Sequence, residues 1–458
     1  MYPSRSISRP RSRTAANGLL WPLLLQVALC LVPSMTLLAM GNYSLAATTF
    51  YVLFGIVLAG ALIRRNPLDV TVLTMACLPA MMLLRDFFFY SSVEALLGLA
   101  VGIWAFYGQE DFKWLFSSRV VQGLMAFVTI YWLVSFARTG DYSENLRAFE
   151  LAFSAMGIRL LSRHRNYLAT ALCGIAISGF SIGLALAGQG DRLGMVRNDD
   201  TRLGNPVTFG VPMALILILC LAERGRWMKL DISAFRRFSI TAVAGIFLLL
   251  STSRGSWSVA VACIITMLFF APRKLEIIRL LVIGTVAVAI WAHFSDTSTL
   301  EKYIYKTFYS EEEWSSVNAR VAQWESFPVA FADAPIIGFG PGSGKQVSRQ
   351  YSGHNLIWHS LYMQIGIECG SFGLVLLALF LGSLLYNGFR HLRIQGEIAP
   401  LLGVIGFMAI AVSIPAVDGV CGLLLGFSLV GGNASRFRVV RTVMTRTVPA
   451  RALKAMDA

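Results

Sequence analysis

LLWPLLLQVALCLVPSMTLLAM, residues 19–40, is an apolar run that contains no Asp, Glu, Lys or Arg. Wound as a helix, it is long enough to cross about 30 Å of hydrocarbon. The basic RSISRPRSR (5–13) ahead of it has the look of a signal peptide's charged start. The run is too long for one, however, and lacks a small-residue cleavage pattern, so it reads as a first retained span. Similar runs recur at 44–63, 68–84, 92–108, 120–137, 145–160, 167–188, 207–222, 238–253, 256–271, 276–294, 360–386, 398–414 and 419–433, the weakest being 145–160. With 458 residues, 56% hydrophobic and 14% charged, the chain reads as an all-α polytopic membrane protein of about 12–14 transmembrane helices.

The excess of 14 positive charges sorts to one side of these spans. Arg64-Arg65, RGRWMKLDISAFRRF (224–238), Arg273-Lys274, FRHLR (389–393) and the tail with Arg436, Arg438, Arg441 and Arg446 all fall in short loops of the same side as the N-terminus. The positive-inside trend makes that side, with both termini, cytoplasmic. The organisation expected is a basic cytoplasmic N-terminus (1–17), transmembrane helices (18–188), an outer loop (189–206), central transmembrane helices (207–294), a large outer loop with helical content (295–358), C-terminal transmembrane helices (359–433) and a basic cytoplasmic tail (434–458). The charge is therefore topological, and no basic, aromatic-bearing soluble domain is present to bind nucleic acid. All seven cysteines lie in apolar runs, which favours core packing over a disulfide framework or a metal cluster.

Arginines on the outer face run against the charge trend. Arg254, in LLLSTSRGSWSVAV, sits between two spans with almost no loop. It is either a cation directed at a protein interior for a purpose or one that snorkels to headgroups. Arg320 lies in a stretch of helical spacing, and Arg192, Arg197 and Arg202 alternate with Asp191, Asp199 and Asp200. The glycine-rich IIGFGPGSGKQ (336–346) resembles a phosphate loop but fails it: Phe339 stands where the first glycine is needed, and Gln346 replaces the Ser or Thr. At 100° per residue, His359, Gly366, Gly370 and Gly373 fall at about 0°, −20°, +20° and −40°, one face of a helix. Such a stripe admits a neighbouring helix closely, with the histidine at its wet end, while Glu368 points the other way. Asp418, at the outer turn before the last span, reads as a helix cap.

His359-Ser360, nine residues, Gly370, two residues, Gly373 resembles the signature H-[N/S/Q]-x9-G-x2-[G/T/Y] of the O-antigen ligase and polymerase superfamily. TRLGNPVTFG (201–210), STSRGSW (251–257), ARVAQWE (319–325) and PIIGFGPG (335–342) follow that family's order, whereas the first 190 residues agree only in hydropathy. A second pair, His354-Asn355, places Ile365 where the glycine is required, so His359 is the better match. The resemblance implies an inverting glycan transferase on the periplasmic face of a bacterial inner membrane. Its donor would be an undecaprenyl-diphosphate-linked glycan, and its acceptor a lipid A-core sugar (ligase) or a lipid-linked repeat unit (polymerase). It implies His359 as the base, an imidazole that titrates near the working pH. Arg254 and Arg320, with Arg202, would hold the diphosphate, and Gly366, Gly370 and Gly373 would be structural at the site. No cofactor or metal is then needed, and membrane lipid is the remaining partner. A transporter or flippase is the reading from another class. It is disfavoured because the halves show no convincing repeat and the polar residues concentrate at the outer span ends.

Overall fold

The computed structural model describes residues 20–85, 92–139, 147–186, 195–198, 201–204, 206–222, 226–228, 234–271, fragments of 274–285, 311–415 and 418–430. Both basic termini, the 276–294 span, the 295–310 part of the large loop and Asp199-Asp200 lie outside these residues or are only fragmentarily covered. The described chain is a multi-pass helical membrane protein. Helices α1 (Trp21–Ala39), α2 (Tyr43–Ile63), α3 (Pro67–Leu84) and α4 (Ser92–Tyr107) are followed by α5 (Gln109–Phe116), α6 (Arg119–Thr139), α7 (Arg147–Leu161) and α8 (Arg165–Leu186). Strands β1 (Met195–Asn198) and β2 (Thr201–Gly204) precede α9 (Pro206–Ala222), α10 (Ala234–Leu250) and α11 (Arg254–Phe270). The chain ends with α12 (Glu311–Asp333), α13 (Gly344–Ser352), α14 (Leu361–Gln395), α15 (Ala399–Ser413) and α16 (Gly419–Val430). Six of these, α1, α2, α3, α6, α8 and α14, are long and apolar enough to cross a bilayer unaided, and α9, α10, α11, α15, α16 and most of α4 are shorter apolar helices.

Within this helical architecture residues 195–198 and 201–204 pair antiparallel, with Arg197 opposite Arg202, and this short ladder supplies their backbone partners. One expectation is corrected, and it concerns the last span. Its helix begins at Leu361, after the extended Ser360 (φ −159, ψ 134), and is broken at Gly370 (φ 63, ψ −160). His359 therefore precedes the helix, and Gly366, Gly370 and Gly373 do not form a continuous face. Between the spans lies α5, whose charged first turn (Glu110, Asp111) and apolar Phe112, Leu115 and Phe116 at i, i+3 and i+4 make a short amphipathic helix that hydropathy passes over.

A close glycine seam does exist, but between α16 and α7. A Cβ on Gly422 would stand 2.5 Å from the Leu151 carbonyl oxygen, and one on Gly426 would stand 2.6 Å from Ile158 Cβ. The charges that weaken the 145–160 run are buried in this seam. Glu150 Oε2 accepts from the Gly419 amide at 3.1 Å, the first residue of α16, and its Oε1 accepts from Arg85 Nη1 at 3.2 Å. Arg159 donates to the Leu429 carbonyl near the other end of α16 and lies 4.9 Å over the Trp114 ring. A carboxylate at the amino end and a guanidinium at the carboxyl end both complement the helix dipole. Asp418 caps the same helix, its Oδ1 accepting from Cys421 N at 3.0 Å.

Candidate functional site

The first turn of α11 is delivered by a reversal of only three residues after α10. Thr252 adopts φ 48, a left-handed conformation that β-branched residues seldom take. Ser251 Oγ donates to Leu248 O at 2.7 Å and accepts from Ser253 N at 3.3 Å, while Ser253 Oγ caps the helix by accepting from Ser256 N at 3.3 Å. Arg254, half-buried, is thus the first residue of a helix whose amino end is already electropositive. A cation there stands where the helix dipole disfavours it.

His359 is placed by two elements. On one side its backbone amide donates to Gln323 Oε1 of α12 at 3.1 Å. The fully buried Gln323 also donates through Nε2 to Ser348 Oγ of α13 at 3.0 Å and to the Ile357 carbonyl at 3.1 Å. One carboxamide therefore ties the outer helices to the histidine's segment. On the other side Ser360 Oγ donates to Ala411 O at 3.3 Å, in the final turn of α15, and Leu361 N donates to the O of its C-cap residue Ile414 at 3.1 Å. The same turn receives α11, because a Cβ on Gly255 would stand 2.7 Å from Ile410 Cδ1 and from Ser413 Oγ. Arg254 and His359 thus flank one turn of α15.

Arg320 sits one helical turn before Gln323 and acts on the imidazole electrostatically. Burial, with the Arg320 guanidinium as the second cause, pushes the His359 pKa down to about 4. This departs from the expectation of an imidazole titrating near neutrality: the side chain is neutral, with a lone pair available, throughout the physiological range. His354 is held differently, its backbone carbonyl accepting from Ser348 Oγ at 2.9 Å.

Of the remaining expected residues, Arg202 lies on β2 just ahead of α9. That end of α9 shares the site's end of the bundle, since Gly210 packs against Ser251 and Ser256. Gly366 meets Phe327 of α12 at 3.1 Å for a hypothetical Cβ, and Gly373 faces Cys369 and Ile365 of its own helix. Gly370 instead abuts the Pro335–Gly340 turn. Gln323 was passed over in the sequence although it stands within ARVAQWE, three residues after Arg320, the spacing that brings two side chains to one helix face. Among the described residues no group of three His, Cys, Asp or Glu side chains is gathered as a metal ion would require.

Residues 239–378 match the family model described as O-antigen ligase, a stretch that holds Arg254, Arg320, His359 and the three glycines and leaves out Arg202. No curated protein matches the chain.

Proposed function

Residues 239–378 make this chain a member of the O-antigen ligase superfamily, and on that premise we propose that it is a glycan transferase. It moves a polysaccharide from undecaprenyl diphosphate to an acceptor hydroxyl at the periplasmic face of the inner membrane. The charge asymmetry of the loops supports this sidedness. The observation that carries the reading is the pairing of His359 with Arg320 through α12: a neutral imidazole is held beside a fixed cation, as a base next to an anionic leaving group requires.

In the proposed step the acceptor oxygen attacks the anomeric carbon while its proton passes to an imidazole nitrogen of His359. The bond from that carbon to the diphosphate oxygen breaks, and configuration inverts. The diphosphate departs with its negative charge matched by the forked guanidiniums of Arg320 and Arg254, with Arg202 as a further contact from the hairpin. These cations do for the leaving group what a divalent ion would do elsewhere. Arg320 has a second effect. Without donor it depresses the basicity of His359; with a diphosphate bound, its charge is offset and the imidazole becomes a better base. The base is thus strengthened when the leaving group is in place.

An O-antigen ligase activity, with lipid A-core as acceptor, is the form we propose. In cells lacking the gene, His359→Ala should fail to restore surface glycan while inserting stably. Normal glycan with that variant would remove the histidine from the mechanism. Gene deletion separates ligase from polymerase: long chains stranded on the carrier indicate ligase, and single repeat units already on the acceptor indicate polymerase.

A further inference from the structure

The turn Pro335–Gly340 does not behave as part of a water-exposed loop. Its backbone is docked on the break in α14: Phe339 N donates to Ile367 O at 2.8 Å, Gly340 N to Glu368 O at 2.9 Å, Ser371 N to Pro335 O at 2.8 Å and Phe372 N to Ile336 O at 3.1 Å. Gly338 and Gly370, at φ 69 and 63, meet backbone to backbone. A Cβ on Gly338 would lie 2.6 Å from Gly370 N. The buried carboxylate of Glu368 accepts from Gly344 N at 2.9 Å and from Tyr131 of α6, and Arg138 of α6 donates to the Phe339 carbonyl. Protein thus supplies partners to much of the turn's non-helical backbone. Non-helical backbone is tolerated at hydrocarbon depth only when satisfied in this way.

Two rulers give the depth. Arg119 and Arg138 bracket the apolar span of α6, and nineteen residues of helix rise about 28 Å, close to the hydrocarbon thickness. Arg138 therefore marks the boundary at the site's end, and Phe339, whose carbonyl it holds, lies at that level. On α14 the polar residues at the far end begin at Asn387, and about 20 residues of helix back from it reach Ile367, again the partner of Phe339. Ile336, bonded to Phe372, then sits about 7 Å deeper, five residues further along α14. At that depth Ile336 and Ile337 are 69% and 75% exposed, continuous with Phe372, Val375 and Leu379 on the outward face of α14.

We propose that residues 335–338 form a re-entrant lip whose Ile336 and Ile337 side chains contact the acyl chains of the bilayer. The outer segment carrying Arg320 and leading to His359 is then anchored in lipid as well as in protein. This inference does not depend on the transferase reading, and its test does not use activity.

Single nitroxide labels on Ile336→Cys and Ile337→Cys, in full-length protein reconstituted in phospholipid vesicles, would be compared with labels on Leu379→Cys and Leu356→Cys, the parent protein's signal being subtracted. Collision with dissolved oxygen should exceed collision with a water-soluble nickel chelate at 336 and 337, as at 379 and opposite to 356. Nickel collision equal to that at 356 would overturn the lip. Should a nitroxide perturb the turn, bimane on the same cysteines should be quenched by lipids brominated on the acyl chain. Quenching by aqueous iodide alone would equally overturn it.

Discussion

Two groups of charges stand inside apolar sequence here, and they are arranged in opposite electrostatic senses. Around α16, Glu150 meets the amino end and Arg159 the carboxyl end, each sign where the helix dipole favours it, with Arg85 closing the pair. At the site, Arg254 stands on the amino end of α11, where the dipole opposes it, and Arg320 lowers the basicity of the neighbouring His359. The first group is matched in sign to the two ends of one helix. The second sets cations where the dipole and a neighbouring imidazole disfavour them, an arrangement that suits the anionic ligand proposed above. Sense relative to the dipole, more than burial, distinguishes the two groups.

Breaking the first group should have the largest effect on the folded protein. Glu150→Leu leaves Arg85 buried beside an apolar side chain and removes the cap from Gly419, costing about 3–5 kcal/mol. The expected result is a large fall in the thermal midpoint in detergent. The double variant Glu150→Leu, Arg85→Met should recover much of it, because no charge is then stranded. If the single and double variants melt alike, the pair is not the source of the stability. At the site the pattern should invert. His359→Ala should cost about 10²–10⁴-fold in transfer with little change in melting. Arg254→Lys, which keeps the charge and loses the fork, should cost about tenfold; unimpaired transfer by the lysine variant would exclude a bidentate role.

A pH profile sharpens the same contrast without a mutation. With its pKa pushed down to about 4, the His359 base is present well below neutrality, so kcat/KM should stay level from pH 8 to about 5 and fall only as pH approaches 4. In kcat the acid limb should lie at higher pH, because the bound diphosphate offsets Arg320 and favours the imidazolium. A kcat/KM limb near the ordinary histidine value, or two limbs at one pH, would mean that Arg320 and burial do not govern this imidazole in the working enzyme.

Much of the scaffold was legible because membrane spans are announced by local hydropathy, and the histidine's spacing to Gly370 and Gly373 is local too. What escaped depends on distant partners. The 145–160 run looked weak because of Glu150 and Arg159, whose partners at Gly419 and Leu429 are about 270 residues away. Gly370 fits a helical wheel as well as any glycine. Only the Pro335–Gly340 turn, packed against it, explains its left-handed backbone. The ladder between 195–198 and 201–204 has no aliphatic alternation to signal it. Gln323 was hidden for a related reason: a glutamine on an outer helix is unremarkable until its three partners are folded around it.

That glutamine permits the finest test of the site. Gln323→Glu keeps the shape and places a carboxylate beside the His359 backbone amide, which it can still accept from, while forfeiting the two hydrogen bonds given by Nε2. Arg320 already acts on this imidazole, and one negative charge near it should raise its pKa and move the acid limb of kcat/KM up by about one unit. At pH 8 the change in rate should be several-fold at most, since the imidazole is neutral there in either protein. The direction is the informative part. An unmoved limb would show that the group titrating in kcat/KM is not the histidine attached to Gln323, whereas Gln323→Ala, lacking the charge, should lose rate and leave the limb where it was.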